Sequence, residues 1–242
     1  MPVNIEDRFR DAVQSIWTGR LRQREKQAEA GKIDAGSRGD VTGGGHMGAI
    51  ELLVKDLLVD FGVEKSDIFT GSQMELPGYF RSTKKWDLLV VSGRQLVMAL
   101  EFKSIGGSYG NNLNNRTEEA LGNATDIWTA YREGRFGTAP RPLLGYLFLL
   151  RDEERISRSV KNKEPHFKVD PVFEAASYAR RAEILCRRLV LERVYDAACL
   201  LLSTIEEPTR ITEPAEDLGF RRFVATLRGQ VVTHLASGAR GF

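Results

Sequence analysis

The sequence predicts an α/β domain in which a mixed central β-sheet is flanked by helices. Three observations carry that expectation. Two apolar runs, 87–91 and 96–102, flank Ser92-Gly93-Arg94 and read as a β-hairpin. A further apolar run, 143–150, lies between Pro142 and Arg151 and has the length and continuity of a strand buried on both faces. Segments with helical spacing of apolar residues stand before, between and after these strands.

In chain order, Phe9, Val13, Ile16, Trp17 and Leu21 fall at helical spacing within residues 5–30, and the opposite face is strongly charged. Residues 31–45 hold six glycines in fifteen positions and cannot form a regular element. A surface linker is the ordinary reading, although Lys32 and Arg38 among glycines would also suit close backbone approach to phosphates. No Gly-Lys-Ser/Thr follows at P-loop spacing. A second helix is expected over 46–61, with Met47, Ile50, Val54, Leu57, Leu58 and Phe61 on its apolar face. Glu51 shares that face and needs either a partner or access to water. His46 at the helix start reads as a cap or a solvated side chain. A short segment near 67–70 and a Pro77-Gly78 turn lead to the hairpin. Beyond Lys103 a loop rich in glycine and asparagine is expected, then a helix over about 115–133 burying Ala120, Leu121, Ala124, Ile127, Trp128 and Tyr131. The strand 143–150 follows, then a polar loop over 152–170, a helix over about 173–193, a strand within 195–204 and a last amphipathic helix over 220–234. There is no internal repeat or convincing linker, so a single domain over 1–242 is expected, its catalytic core at about 46–150.

Composition sets wide bounds. A 42% hydrophobic share over 242 residues is that of an ordinary globular chain able to bury a sizeable core. No run of 18 apolar residues suits a membrane span and no basic-then-apolar leader is visible, so a soluble cytoplasmic protein is expected. Cys186 and Cys199 lie in apolar surroundings and read as buried thiols. A net charge of +2 permits a polyanionic partner without demanding one. Of three basic clusters, Arg81-Ser82-Thr83-Lys84-Lys85 alone contains no acid, and it runs straight toward Asp87.

The chemistry concentrates on the hairpin. Asp87 opens the first run, Glu101 closes the second, and Lys103 stands two residues on, on the same side of the pleat as Glu101. Thirteen residues, 88–100, separate the two acids, enough for a hairpin to bring them together. Phosphodiester hydrolysis needs a divalent ion to neutralise the phosphate and a water made more acidic by that ion or by a base. Hard Mg²⁺ takes carboxylate oxygens and keeps several waters, so Asp87 and Glu101 suffice as protein ligands, with Glu51 a possible addition. Lys103 would orient the water or stabilise the developing negative charge. A strand ending in solvated charges is the plain alternative. Candidate phosphate contacts are Arg38, Arg81, Lys84 and Lys85. Asn111, Asn112, Asn114, Asn115 and Arg116 are candidates for base reading, since asparagine suits adenine edges and arginine guanine; asparagine-rich turns also arise for conformational reasons.

The segments RGDVTGGGHM, WDLLVV, ALEFKS and YGNNLNNRTEEALGNATDIWTAYREG together resemble the XhoI-type family of type II restriction endonucleases, over most of the first 150 residues. The resemblance implies a restriction-endonuclease-like PD-(D/E)xK core and a homodimer that needs Mg²⁺ and cuts double-stranded DNA at a palindromic hexanucleotide, CTCGAG with 5′ overhangs. It implies Asp87 and Glu101 as metal ligands and Lys103 as the catalytic lysine. Trp86 stands where much of the wider superfamily has proline. A cognate DNA methyltransferase is expected as a genetic partner. Another nuclease of this fold, acting in repair or on DNA structure, and a DNA-binding module without catalysis are the rival readings.

Overall fold

The computed structural model describes residues 5–29 and 47–238, with side chains for 5–19 and 47–238. Helix α1 (Ile5–Glu29) is followed by α2 (Gly48–Asp60), and short strands β1 (Ile68–Phe69), β2 (Glu75–Pro77) and β3 (Thr83–Lys85) precede the hairpin of β4 (Leu88–Ser92) and β5 (Gln95–Ile105). Helix α3 (Tyr109–Arg132) leads to β6 (Leu143–Arg151), the one-turn α4 (Glu154–Ser157), α5 (Tyr178–Leu191), β7 (Ala197–Ser203), β8 (Ile211–Thr212) and α6 (Phe220–Gly238). Six strands form a mixed sheet in the order β1-β4-β5-β6-β7-β8; β5, β6 and β7 are mutually parallel, and the remaining pairs are antiparallel. β2 and β3 pair separately as a small antiparallel ladder.

Two apolar layers sandwich the sheet because alternate side chains of each strand point to opposite faces. Leu88, Val90, Met98, Leu100, Leu147, Leu149, Cys199 and Leu201 meet α1, α2 and α6 on one face. Leu89, Ala99, Tyr146, Phe148, Leu150, Leu200 and Leu202 meet α3 and α5 on the other. Glu101 and Lys103 share the parity of Ala99 and therefore face the α3 side. Cys199 and Cys186 lie in opposite layers, each buried with its thiol pushed well up by burial. Gly145 is required by packing: a Cβ there would stand 2.6 Å from a Leu100 methyl and 3.2 Å from the Phe223 ring.

The hairpin turns on Gly93 and Arg94, both at positive φ (56° and 65°), the two-residue loop whose twist matches that of the flanking strands. Strand β4 begins at Leu88, so Asp87 sits one residue before it rather than inside it, its N–H donating to Leu100 O at 3.2 Å. The last strands and helices agree with expectation to within a few residues, except that α5 starts at Tyr178 instead of 173 and residues 152–170, expected as loop, contain α4. Among the described residues, no helix is long and apolar enough to cross a membrane.

The clearest departure is α3. Residues 109–114, expected as loop, are its first turns. Tyr109, Leu113, Arg116 and Ala120 are buried at a spacing of four, three and four, so burial of a continuous face outweighs the modest helix propensity of asparagine. Leu121, expected on the buried side, is 43% exposed because the buried stripe runs through Ala120, Asn123, Ala124 and Ile127, and Leu121 falls outside it.

Candidate active site

A single carboxylate anchors the candidate site. Glu101 stands in the middle of β5, opposite Tyr146 of β6, and is 2% exposed. Burial alone would raise its pKa, but the Lys103 and Lys84 ammonium groups, with hydrogen bonds from Lys103 and Asn123, bring it down to about 2. Its Oε1 lies 2.8 Å from Lys103 Nζ and 3.2 Å from Lys84 Nζ. Asn123 Nδ2, from α3, lies 3.0 Å from both carboxylate oxygens, and the Tyr195 hydroxyl, from the segment before β7, donates to Oε2 at 3.2 Å. Four side chains therefore donate to this buried anion, as a buried charge requires.

Asp87 completes the cluster at its solvent side. Its Oδ2 accepts from Phe102 N–H at 2.7 Å and from Lys103 Nζ at 3.3 Å. Lys103 thus bridges both acids. Burial works against its charge, yet Glu101 and Asp87 outweigh that and raise its pKa. Lys84 is moved the other way: burial lowers it more strongly than Glu101 raises it. Lys84 Nζ also lies 4.3 Å from the centre of the Trp86 ring, an apolar and cation-attracting wall. Glu51, on the edge of α2, is raised to about 7, first by burial and then by the negative charge of Asp87, against the weaker opposing effects of Lys103 and Lys85.

A second layer holds this arrangement from the α3 side. Asn123 Oδ1 accepts from Arg81 at 2.8 Å, and the same guanidinium donates through Nε to Asp126 Oδ2 at 2.7 Å. Arginine can only donate, so it fixes the asparagine amide with its oxygen toward Arg81 and its NH₂ toward Glu101. Asp126 also accepts from the backbone N–H groups of Tyr79 and Phe80, each at 2.8 Å. Burial would raise Asp126, but these three donors hold its carboxyl below the usual carboxylate range.

The comparisons with known proteins bear on this geometry. A model of the family described as restriction endonuclease XhoI matches residues 26–212. The chain belongs to the XhoI family of restriction endonucleases. Three similar relatives are named type II restriction enzymes. BstVI of Geobacillus stearothermophilus is 48% identical over 87% of this chain and 97% of its own length. AbrI of Azospirillum brasilense is 46% identical over 68% and 75%, and XhoI of Xanthomonas vasicola 41% identical over 74% and 73%. No solved structure matches. As a member of the XhoI family the chain is a site-specific restriction endonuclease with a mixed α/β core, and Asp87, Glu101, Lys103, Asn123 and Tyr195 all fall within the matched span.

The residues expected to contact DNA fare unevenly. Asn111, Asn114 and Asn115 are exposed on the first turns of α3, but Asn114 is engaged by Glu118 at 2.8 Å, and Asn112 caps the preceding loop by donating to Gly107 O at 2.7 Å. Arg116 is buried behind the site with its guanidinium on Glu119, and its charge acts on Lys103, so it does not present an edge to a base. Arg81 is committed to Asp126 and Asn123, and Lys84 to Glu101, whereas Lys85 is exposed. Lys32, Arg38 and His46 lie outside the described residues. The expectations missed Asn123, Asp126 and Tyr195. A polar pair on the stripe of Ala120, Ala124 and Ile127 was a readable signal for the first two; Tyr195, ninety-four residues from Glu101, carried none.

Proposed function

We propose that the chain is a Mg²⁺-dependent endodeoxyribonuclease that acts as a homodimer in the cytoplasm. It would hydrolyse both strands of duplex DNA at a palindromic hexanucleotide, leaving 5′-phosphate and 3′-hydroxyl ends. Likeness to its family suggests CTCGAG and a 5′ overhang, with a DNA methyltransferase protecting the host's copies of that site. The observation that carries the reading is Lys103 spanning Asp87 and Glu101 at one edge of a buried, fully hydrogen-bonded carboxylate.

The donor set suits a hard divalent cation. Asp87, Glu101 and, from α2, Glu51 offer only oxygen, and the Asp87 charge adds to burial in raising Glu51. A hard divalent ion of this kind would draw on a few protein carboxylates and fill its remaining positions with water and substrate phosphate. A bound ion of this type supplies charge neutralisation at the phosphate and lowers the pKa of water.

The chain's own groups do the rest. Asn123, Lys84 and Tyr195 hold the Glu101 carboxylate in one orientation, so little reorganisation is needed on substrate binding. The Lys103 ammonium, 2.8 Å from Glu101 and 3.3 Å from Asp87, would donate to the attacking water or to a phosphate oxygen at that edge of the site. Two protomers related by a two-fold axis match the symmetry of a palindrome, one centre for each strand. The test is digestion of phage DNA of known sequence in Mg²⁺ with the ends sequenced. Discrete fragments sharing one hexanucleotide, abolished by chelator, are expected; a continuous smear overturns the site-specific reading.

A further inference from the structure

The turn joining β2 and β3 presents two aromatic rings to solvent. Tyr79 is 49% and Phe80 70% exposed, their rings edge to face with centroids 4.9 Å apart. Exposed rings on loose loops need no explanation, but this turn is fixed. The Asp126 carboxylate accepts from both their backbone N–H groups and from the Arg81 side chain, and Gly78 N–H donates to Ser82 O at 3.2 Å across the base of the turn. Gly78 permits the approach: a Cβ there would stand 2.5 Å from Asp126 Oδ2 and 2.6 Å from Arg81 O. The turn is thus clamped to α3 through Asp126, one helical turn from Asn123, whose amide holds Glu101.

Charge points to the occupant. No acid lies between Phe80 and Asp87; Arg81 and Lys84 turn onto Asp126 and Glu101, and Lys85 is exposed, so the tip leads to Asp87 along a surface whose free charge is positive. We propose that the Tyr79–Phe80 tip is a contact element for duplex DNA, its rings pressed into a groove against sugar edges or a base step while the scissile strand lies at Asp87 and Glu101. Apolar side chains used in this way partly unstack a step and bend the duplex around the protein. The Asp126–Arg81–Asn123 chain then sets the tip and the Glu101 carboxylate in register, so that Arg81, expected from the sequence to bind phosphate, acts as a positioning residue. The inference rests on the nuclease reading above.

Two variants separate the possibilities. Phe80→Ser should melt within a degree or two of the parent, since the ring is mostly in solvent. It should bind a duplex carrying the site found by digestion about tenfold more weakly in fluorescence anisotropy without divalent ion. Phe80→Trp should keep parental affinity, and the added indole emission should be quenched when that duplex is titrated in. Failure of the parent to cut DNA would refute the nuclease reading. A parent that cuts, with unchanged duplex affinity in Phe80→Ser and unaltered Phe80→Trp emission, would refute the inference alone. So would Phe80→Ser turning a dimeric parent monomeric in sedimentation without DNA, since the tip would then be a protein interface.

Discussion

At the scale of single residues, the site depends on a carboxylate that is buried yet ionised. Glu101 ordinarily titrates near 4.5 and is held at about 2 in the fold, so the unfolded chain binds a proton more readily than the native one. The stability it contributes is complete above pH 4.5 and is lost as pH falls toward 2. Thermal melts of the parent between pH 6 and 3 should therefore fall more steeply than those of Glu101→Gln, which has no proton to take up. Asn123 is the other sensitive position. Asn123→Ala removes both amide hydrogen bonds to Glu101 and the acceptor for Arg81, and should cost about 1–3 kcal/mol in denaturant unfolding, with a slower cleavage rate that Asn123→Gln does not restore, because the longer amide cannot keep both contacts. The Asp87, Glu101 and Lys103 trio was legible because two acids broke an apolar pattern at its ends. Lys84 was visible only as one basic letter among several, and its burial on Glu101 depends on a strand pairing that no local pattern announces.

At the scale of elements, legibility followed periodicity. β6 could be recognised because a strand covered on both faces is apolar throughout, and the β4–β5 hairpin because a glycine turn separates two runs of strand length. The start of α3 was hidden because its first turns are rich in residues that favour loops, while the burial of Tyr109, Leu113 and Arg116 that stabilises them is supplied by the sheet and α5. The three-residue β2 and β3 are too short to leave a pattern, yet their turn carries the exposed aromatics and the Arg81 link. That turn tolerates no side chain at Gly78. Gly78→Ala should lower stability by about 1–3 kcal/mol, read from the thermal midpoint, because the added methyl meets a backbone carbonyl and the Asp126 carboxylate with nowhere to move.

At the scale of the whole molecule, the sheet separates two tasks. The layer formed by α1, α2 and α6 is mainly structural: Phe9 stacks on Phe220 at 4.1 Å, and the Trp17 indole donates to Ser203 at 2.6 Å across the buried end of β7. The opposite layer brings α3, β3 and the segment before β7 onto one carboxylate of the central strand, while α2, from the first layer, adds Glu51 within reach of the Asp87 charge. Membership of the XhoI family places a restriction endonuclease's chemistry somewhere on this frame, and Asp87, Glu101 and Lys103 are where charge, burial and hydrogen bonding converge. The most direct test compares Glu101→Gln with the parent on one DNA in Mg²⁺ after both are shown to fold and to bind the duplex. The account predicts cleavage slowed by at least a thousandfold, roughly 4 kcal/mol of barrier, with duplex binding within a few fold of the parent; cleavage at the parental rate would contradict it.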